Sequence, residues 1–249
     1  DNYVGPPWFK QSMLNKGSLL SERACRFRCA FCAQNLVAGE SMRWHSPEYV
    51  MGQIRDIVYG YGETKLTFHD DVATLAEKRF RKLCEMIIAE DLDLDFRIET
   101  RADCLSDETL VLLKRAGCTR IKLGIETLVQ RLLDAMNKEM TVETILDSVS
   151  RIKKVGIPIT GNFIIGYIGE TNVDARTTLE LARKLDLENY SCSIYTPYAG
   201  TPTYEKAGGV SLEDAEGLYH TNVNLLKNTD ITQETVNEFL ALNEGRPTR

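Results

Sequence analysis

The strongest constraint on the fold is a regular alternation, in which short runs rich in apolar and β-branched residues are followed by longer amphipathic stretches. Parallel strands need a crossover long enough to hold a helix, so this alternation specifies βα units on a parallel sheet. Strands are expected at Gly17 to Glu22, Lys65 to Phe68, Leu94 to Ile98, Arg120 to Ile125, Ile157 to Ile165 and Tyr190 to Tyr195. Ser46-Pro47-Glu48 opens a helix: the serine caps it, the proline suits its first turn, and the acid sits at its positive end. Val50, Ile54, Ile57 and Val58 give that helix one apolar face. Phe80, Leu83, Ile87 and Ile88 mark the next helix, and Ser106-Asp107-Glu108-Thr109 caps another that stops at Gly117. A long helical region starts near Leu128, breaks near Met140-Thr141 and closes at Gly156, and the last crossover runs from Ala175 to Leu185.

Six βα units fill residues 17–210. Eight would need about 250 residues for the barrel alone, so the expected fold is α/β, a partial (β/α)6 TIM-type barrel with parallel strands. Residues 1–16 form a lead-in, and residues 211–249 form a helical tail whose second helix opens at Asp230-Ile231-Thr232-Gln233 as a capping box. No apolar stretch approaches the roughly 20 residues that span a bilayer, and no secretory-type segment opens the chain. A cytoplasmic location without membrane contact is therefore expected, and unpaired thiols fit a reducing compartment. A net charge of −6, from 30 basic and 36 acidic residues, argues against a dedicated nucleic-acid binder.

The chemistry concentrates in Cys25-Arg26-Phe27-Arg28-Cys29-Ala30-Phe31-Cys32. Three thiolates leave a four-ligand metal shell incomplete, and an open metal position is where chemistry happens. A zinc site completed by His45 or a distant cysteine is the alternative, but no second C-x-x-C or H-x-x-H couple is present. Seven cysteines is an odd count for disulfides, and Cys84, Cys104, Cys118 and Cys192 read as small buried apolar residues. Ligands of parallel βα folds collect at the carboxyl ends of strands. There the sequence places His69-Asp70-Asp71, Arg101 with Asp103, Gly124 with Glu126, Gly161 to Gly166, and Tyr195 with Pro197 and Gly200. Plain structural roles compete for each: a helix cap for Asp71, an ion pair for Glu126, tight turns for Gly166 and Gly200.

The C-x3-C-x-Φ-C spacing, with Phe31 as the aromatic Φ, resembles the motif of the radical S-adenosylmethionine (SAM) enzymes. The resemblance implies that Cys25, Cys29 and Cys32 hold a [4Fe-4S] cluster whose fourth iron binds the amino and carboxylate groups of SAM. It further implies that the Asp70-Asp71 segment contacts the methionine amino group, Arg101 the SAM carboxylate, and Glu126 the ribose or amino-acid portion. Gly166, Tyr195, Pro197 and Phe31 would border adenine. The basic cluster Arg23, Arg26 and Arg28 is either a solvated loop face or positive charge that helps tune the cluster potential. Ala24 departs from the glycine many relatives carry before the first cysteine, and His-Asp-Asp departs from a Gly-Gly-Glu segment. The core is more similar to the cobalamin-binding subset, whose members carry a cobalamin domain before the barrel; in an excised core, cobalamin would be a further cofactor and methyl transfer the reaction. The implied activity is reductive cleavage of SAM to a 5′-deoxyadenosyl radical that abstracts hydrogen from a small-molecule or peptide substrate. The electron would come from a flavodoxin- or ferredoxin-type donor. No catalytic residue on the substrate side is assigned. A non-enzymatic iron–sulfur electron carrier is the rival reading.

Overall fold

The computed structural model describes residues 17–39, 41–209 and 229–244. In chain order its strands are β1 (Ser18–Leu19), β2 (Glu22–Arg23), β3 (Arg43–Trp44), β4 (Lys65–Phe68), β5 (Asp95–Arg101), β6 (Cys118–Glu126), β7 (Ile159–Ile165) and β8 (Asn189–Ile194). Six of them form one sheet in the order β1-β4-β5-β6-β7-β8, every neighbouring pair parallel, while β2 and β3 form a small antiparallel ribbon. This is the α/β architecture expected of an open partial barrel, with a helix in each crossover.

Four crossover helices are fixed by their own start signals. Ser46 Oγ accepts from Tyr49 N at 3.1 Å to open Pro47–Tyr61, and Ser106 Oγ accepts from Thr109 N at 3.2 Å to open Asp107–Arg115. Thr141 caps Val142–Val155, and Thr171 with Asp174 forms a capping box for Asn172–Leu185. The helices bury Val50, Ile54, Phe80, Leu83, Leu110, Ile145 and Leu179 against one face of the sheet, made of Leu66, Phe68, Phe96, Ile98, Ile121, Leu123, Ile159 and Phe163. Phe68 sits edge-on to both Phe80 and Phe96, with ring centroids 5.5 and 5.6 Å away. Parallel sheets are usually apolar on both faces. Here the strands alternate, and the residues between those core positions (Thr67, Arg97, Glu99, Lys122, Asn162, Ser191) line a cavity instead.

Two expected boundaries are corrected. The first strand does not run to Glu22. Asp70 accepts hydrogen bonds from Ser21 N, Ser21 Oγ and Glu22 N at 2.6, 2.5 and 2.9 Å, which draws the chain off the sheet after Leu19 and into the ribbon. At the tail, Thr232 rather than Asp230 caps Gln233–Ala241, because the Asp230 carboxylate is taken by Asn172 N at 2.8 Å. That helix places Phe239 against Phe163, so the described part of the tail covers the apolar side of the sheet. The first helix expected in the tail and the lead-in 1–16 lie outside the described residues. Among the described residues no helix is long and apolar enough to cross a membrane.

Candidate functional site

Cys25, Cys29 and Cys32 lie half-buried in the loop between β2 and the short helix Gln34–Ala38, at the carboxyl end of the sheet. The loop begins with a turn that L-residues resist, since Ala24 is fully buried at φ +74°. Several bonds then hold it. Ala30 N donates to Met136 O at 2.8 Å, and Asn137 Nδ2 donates to Arg28 O at 2.8 Å. Asn35 Nδ2 reaches Phe27 O at 2.9 Å, and Thr203 Oγ1 reaches Ala30 O at 2.9 Å. Cys32 Sγ accepts from Gln34 N at 3.4 Å. Burial pushes all three thiols above their ordinary range, so free of metal they are held as neutral thiols.

The donor set discriminates between metal groups. Among the described residues, no group of three or more His, Cys, Asp or Glu converges on a position for a single ion. His45 stacks on Tyr49 with ring centroids 4.6 Å apart, so the zinc alternative finds no fourth ligand there. Three thiols that do not share one ion position fit a polynuclear cluster, in which each sulfur meets its own iron.

A charged wall stands beside the loop. Glu126 ends β6 at φ +63°, where the β6–β7 register shifts, and Lys138 Nζ donates to its Oε1 at 2.5 Å. Both side chains are nearly out of solvent. Lys138 lies in the break between helices Gln130–Ala135 and Val142–Val155, where Asn137 and Glu139 take φ of +50° and +52°. Its carbonyl accepts from Arg101 NH2 at 2.7 Å. Gly124 makes room for the pair, since a Cβ there would sit 2.9 Å from Glu126 Oε1 and 3.1 Å from Lys138 Nζ. Arg101 turns Nε and NH2 to Asp103 at 2.9 and 2.8 Å, while NH1 lies 3.7 Å from Cys29 Sγ and the guanidinium covers the Phe27 ring at 3.5 Å. The bidentate edge expected to meet a carboxylate is thus committed to Asp103, and NH1 is the group facing the loop.

The remaining expected residues divide into two sets. Asp71 faces the cavity, accepts from Gln34 Nε2 at 2.7 Å, and opens no helix; burial raises its carboxyl. Phe31, Asp70, Arg101 and Glu126 line the same cavity of about 690 Å³ as the cysteines, with His69 at its edge. Asp70 spends its carboxylate on the Ser21–Glu22 backbone and acts as a clamp. Gly166, Tyr195 and Pro197 do not line the cavity. Gly166 N donates to Glu170 Oε2 at 2.5 Å; Tyr195 packs edge-on to Tyr167 at 5.1 Å and donates to Thr203 Oγ1 at 2.6 Å; Pro197 is buried. Gly161 faces the core, where a Cβ would meet Leu187 at 2.6 Å. Among the other cysteines, Cys84, Cys118 and Cys192 are buried as expected, but Cys104 is only half-buried and sits beside Asp103.

Lys138, Phe27 and Gln34 escaped the sequence reading. Their signals were present: Asn137-Lys138-Glu139 interrupts an amphipathic period, and Phe27 and Gln34 flank the cysteines.

Residues 21–182 match the sequence profile of a family described as the radical SAM superfamily. The chain belongs to that superfamily. Radical SAM proteins use a [4Fe-4S] cluster and SAM, in keeping with the incomplete thiolate set of the loop. An uncharacterized methyltransferase of Pyrococcus horikoshii is 34% identical over 191 residues, covering 77% of this chain and 42% of the relative. The anaerobic magnesium-protoporphyrin IX monomethyl ester cyclase of Rubrivivax gelatinosus is 31% identical over 188 residues, covering 75% of this chain and 34% of the relative. In fold, the chain matches the radical SAM methyltransferase TsrM of Kitasatospora setae, solved with cobalamin and a [4Fe-4S] cluster, with a TM-score of 0.70 at 20% identity over 80% of this chain and 42% of that one. This radical SAM chain spans less than half the length of these proteins.

Proposed function

We propose that residues 17–210 are the catalytic core of a radical SAM enzyme and that Cys25, Cys29 and Cys32 hold its cluster. The observation that carries the reading is the position of these thiols: they share a cavity with Asp71, Arg101, Glu126 and Lys138 and have no fourth protein ligand among the described residues. When bound, the cluster and SAM supply a reductive cleavage that gives methionine and a 5′-deoxyadenosyl radical able to take hydrogen from a substrate.

The chain's own residues perform the binding and positioning. The loop holds its thiols half-buried, and metal binding releases their protons. Arg101 NH1 and the Lys138 ammonium set positive charge against the thiolates, which favours the anionic sulfurs. Asp71 and Glu126 offer carboxylates to an ammonium or to ribose hydroxyls, and Phe31 offers a ring face for a base. Gly166, Tyr195 and Pro197 contribute through the backbone of the β7 and β8 ends, with Tyr195 bracing the loop through Thr203 and Ala30 O.

The substrate is a small molecule and the electron comes from an external donor, a flavodoxin or ferredoxin. A second reading, that this is the core of a cobalamin-dependent methyltransferase, draws on the methyltransferase relative and on the cobalamin-bound structure of matching fold. The test is electron paramagnetic resonance of anaerobically reconstituted, reduced protein with and without SAM, together with an assay for 5′-deoxyadenosine. A reduced-cluster signal that shifts with SAM, with 5′-deoxyadenosine formed, is expected. A cluster indifferent to SAM would make the chain an electron carrier instead.

A further inference from the structure

Below the cysteine loop the wet face of the sheet carries a pairing that folding alone does not favour. Arg97 on β5 and Arg120 on β6 are register partners on adjacent parallel strands, which sets their backbones about 4.8 Å apart. Like charges directly opposite one another destabilise a sheet. Both arginines line the cavity, and neither guanidinium has a hydrogen bond, ion pair or ring contact with any described residue.

Neighbouring carboxylates make no ion pair with them. Glu99 Oε2 accepts from Lys122 Nζ at 3.2 Å and its Oε1 from Asn162 Nδ2 at 2.9 Å, while Asp95 takes the Thr119 hydroxyl. The next row of the sheet is thus charge-balanced and the Arg97–Arg120 row is not. In a chain of net charge −6 this leaves two unpaired guanidinium groups side by side in a concavity.

We infer that Arg97 and Arg120 form an anion-recognition site for the substrate, which carries a carboxylate or phosphate group at the end remote from the reacting carbon. Two adjacent guanidinium forks bind either oxyanion bidentately, and the bound charge converts their repulsion into attraction. The position also sets a length. Arg97 and Arg101 stand on the same face of β5, four residues apart, and at about 3.3 Å per residue the anionic end lies about 13 Å down the sheet from the residue beside Cys29. The substrate is therefore elongated, with its anion at the foot of the cavity and its reactive portion at the loop. This inference rests on the cavity being the substrate chamber of a radical SAM enzyme.

Titration calorimetry of the whole chain with octanoate and with octyl phosphate tests it, using Arg97→Gln, Arg120→Gln, the double variant, and Arg115→Gln on the outer helix as control. Saturable binding of one or both probes is expected, weakened about tenfold by each single substitution and lost in the double variant, with the control unchanged. The tighter of the two probes identifies the anion as carboxylate or phosphate. No saturable binding by the unmodified chain, or binding equal in the double variant, would overturn the site. SAM cleavage is measured separately on the reconstituted protein. Anion binding without SAM cleavage faults the enzymatic reading, whereas SAM cleavage without anion binding faults this site alone.

Discussion

Replacing Lys138 with Met tests whether the wall beside the cysteines is held by charge pairing. The Lys138 and Glu126 side chains are only 5% and 10% exposed and meet at 2.5 Å. Methionine keeps most of the lysine stem, so little cavity is created and the loss is chiefly electrostatic. Breaking a buried pair by removing one partner typically costs about 3–5 kcal/mol, because the other charge stays buried without its counterion. The lower end applies here, since Arg101 is held against the Lys138 carbonyl and leaves positive charge nearby. A loss of about 3 kcal/mol, at a urea slope of about 3 kcal/mol/M for a chain of this size, moves the unfolding midpoint down by about 1 M. Adding Glu126→Gln removes the orphaned charge, and the double variant is expected to recover most of that shift. Urea melts of the metal-free chain followed by circular dichroism give both numbers. A single-variant shift below about 0.3 M, or a double variant that merely sums the two singles, would refute the argument.

Further predictions concern the loop and its surroundings. Ala24→Gly relieves the left-handed backbone at φ +74°; net of glycine's extra chain entropy it is expected to stabilise by about 0.5–1 kcal/mol, a rise of about 2 °C in Tm, and a lower Tm would contradict the strain assignment. Changing any one of Cys25, Cys29 or Cys32 to Ala is expected to abolish the brown chromophore and 5′-deoxyadenosine formation together, so turnover by any of these variants counts against their role. Glu170 is buried and its carboxyl is pushed from 4.5 up to about 7 by desolvation. The folded state therefore holds this proton more tightly than the unfolded one. The associated stability is fully present below pH 4.5 and is lost as pH rises through about 7, a change of order 3 kcal/mol. Glu170→Gln is expected to flatten that part of the stability–pH curve, and a slope equal to that of the unmodified chain would remove Glu170 as its cause.

Strand positions and caps were legible because they are local. The Lys65–Phe68 strand and the Ser46, Ser106 and Gly156 helix ends depend on neighbours within a few residues. The loss of the first strand after Leu19 was not legible, since it is caused by Asp70, 49 residues from Ser21. The cysteine motif gave the chemistry, but Lys138 pairs with Glu126 only through a helix break whose path is set by tertiary contacts. One signal was available and passed over: Asp-Phe-Arg-Ile-Glu-Thr-Arg in β5 alternates with period two, which marks a strand with one wet face. For Gly166 and Tyr195 the sequence placed them at the right strand ends but did not show which way they point.

The bonds from Ala30 N to Met136 O and from Asn137 to Arg28 O tie the cysteine loop to a helix break more than a hundred residues later. Displacing the loop breaks both, and it removes two of the bonds that hold the segment carrying Lys138. Loop and break are therefore expected to open together, with coupled protection of their amides against exchange. A substitution within residues 136–141 is therefore expected to raise amide exchange in the cysteine loop as well as at its own position.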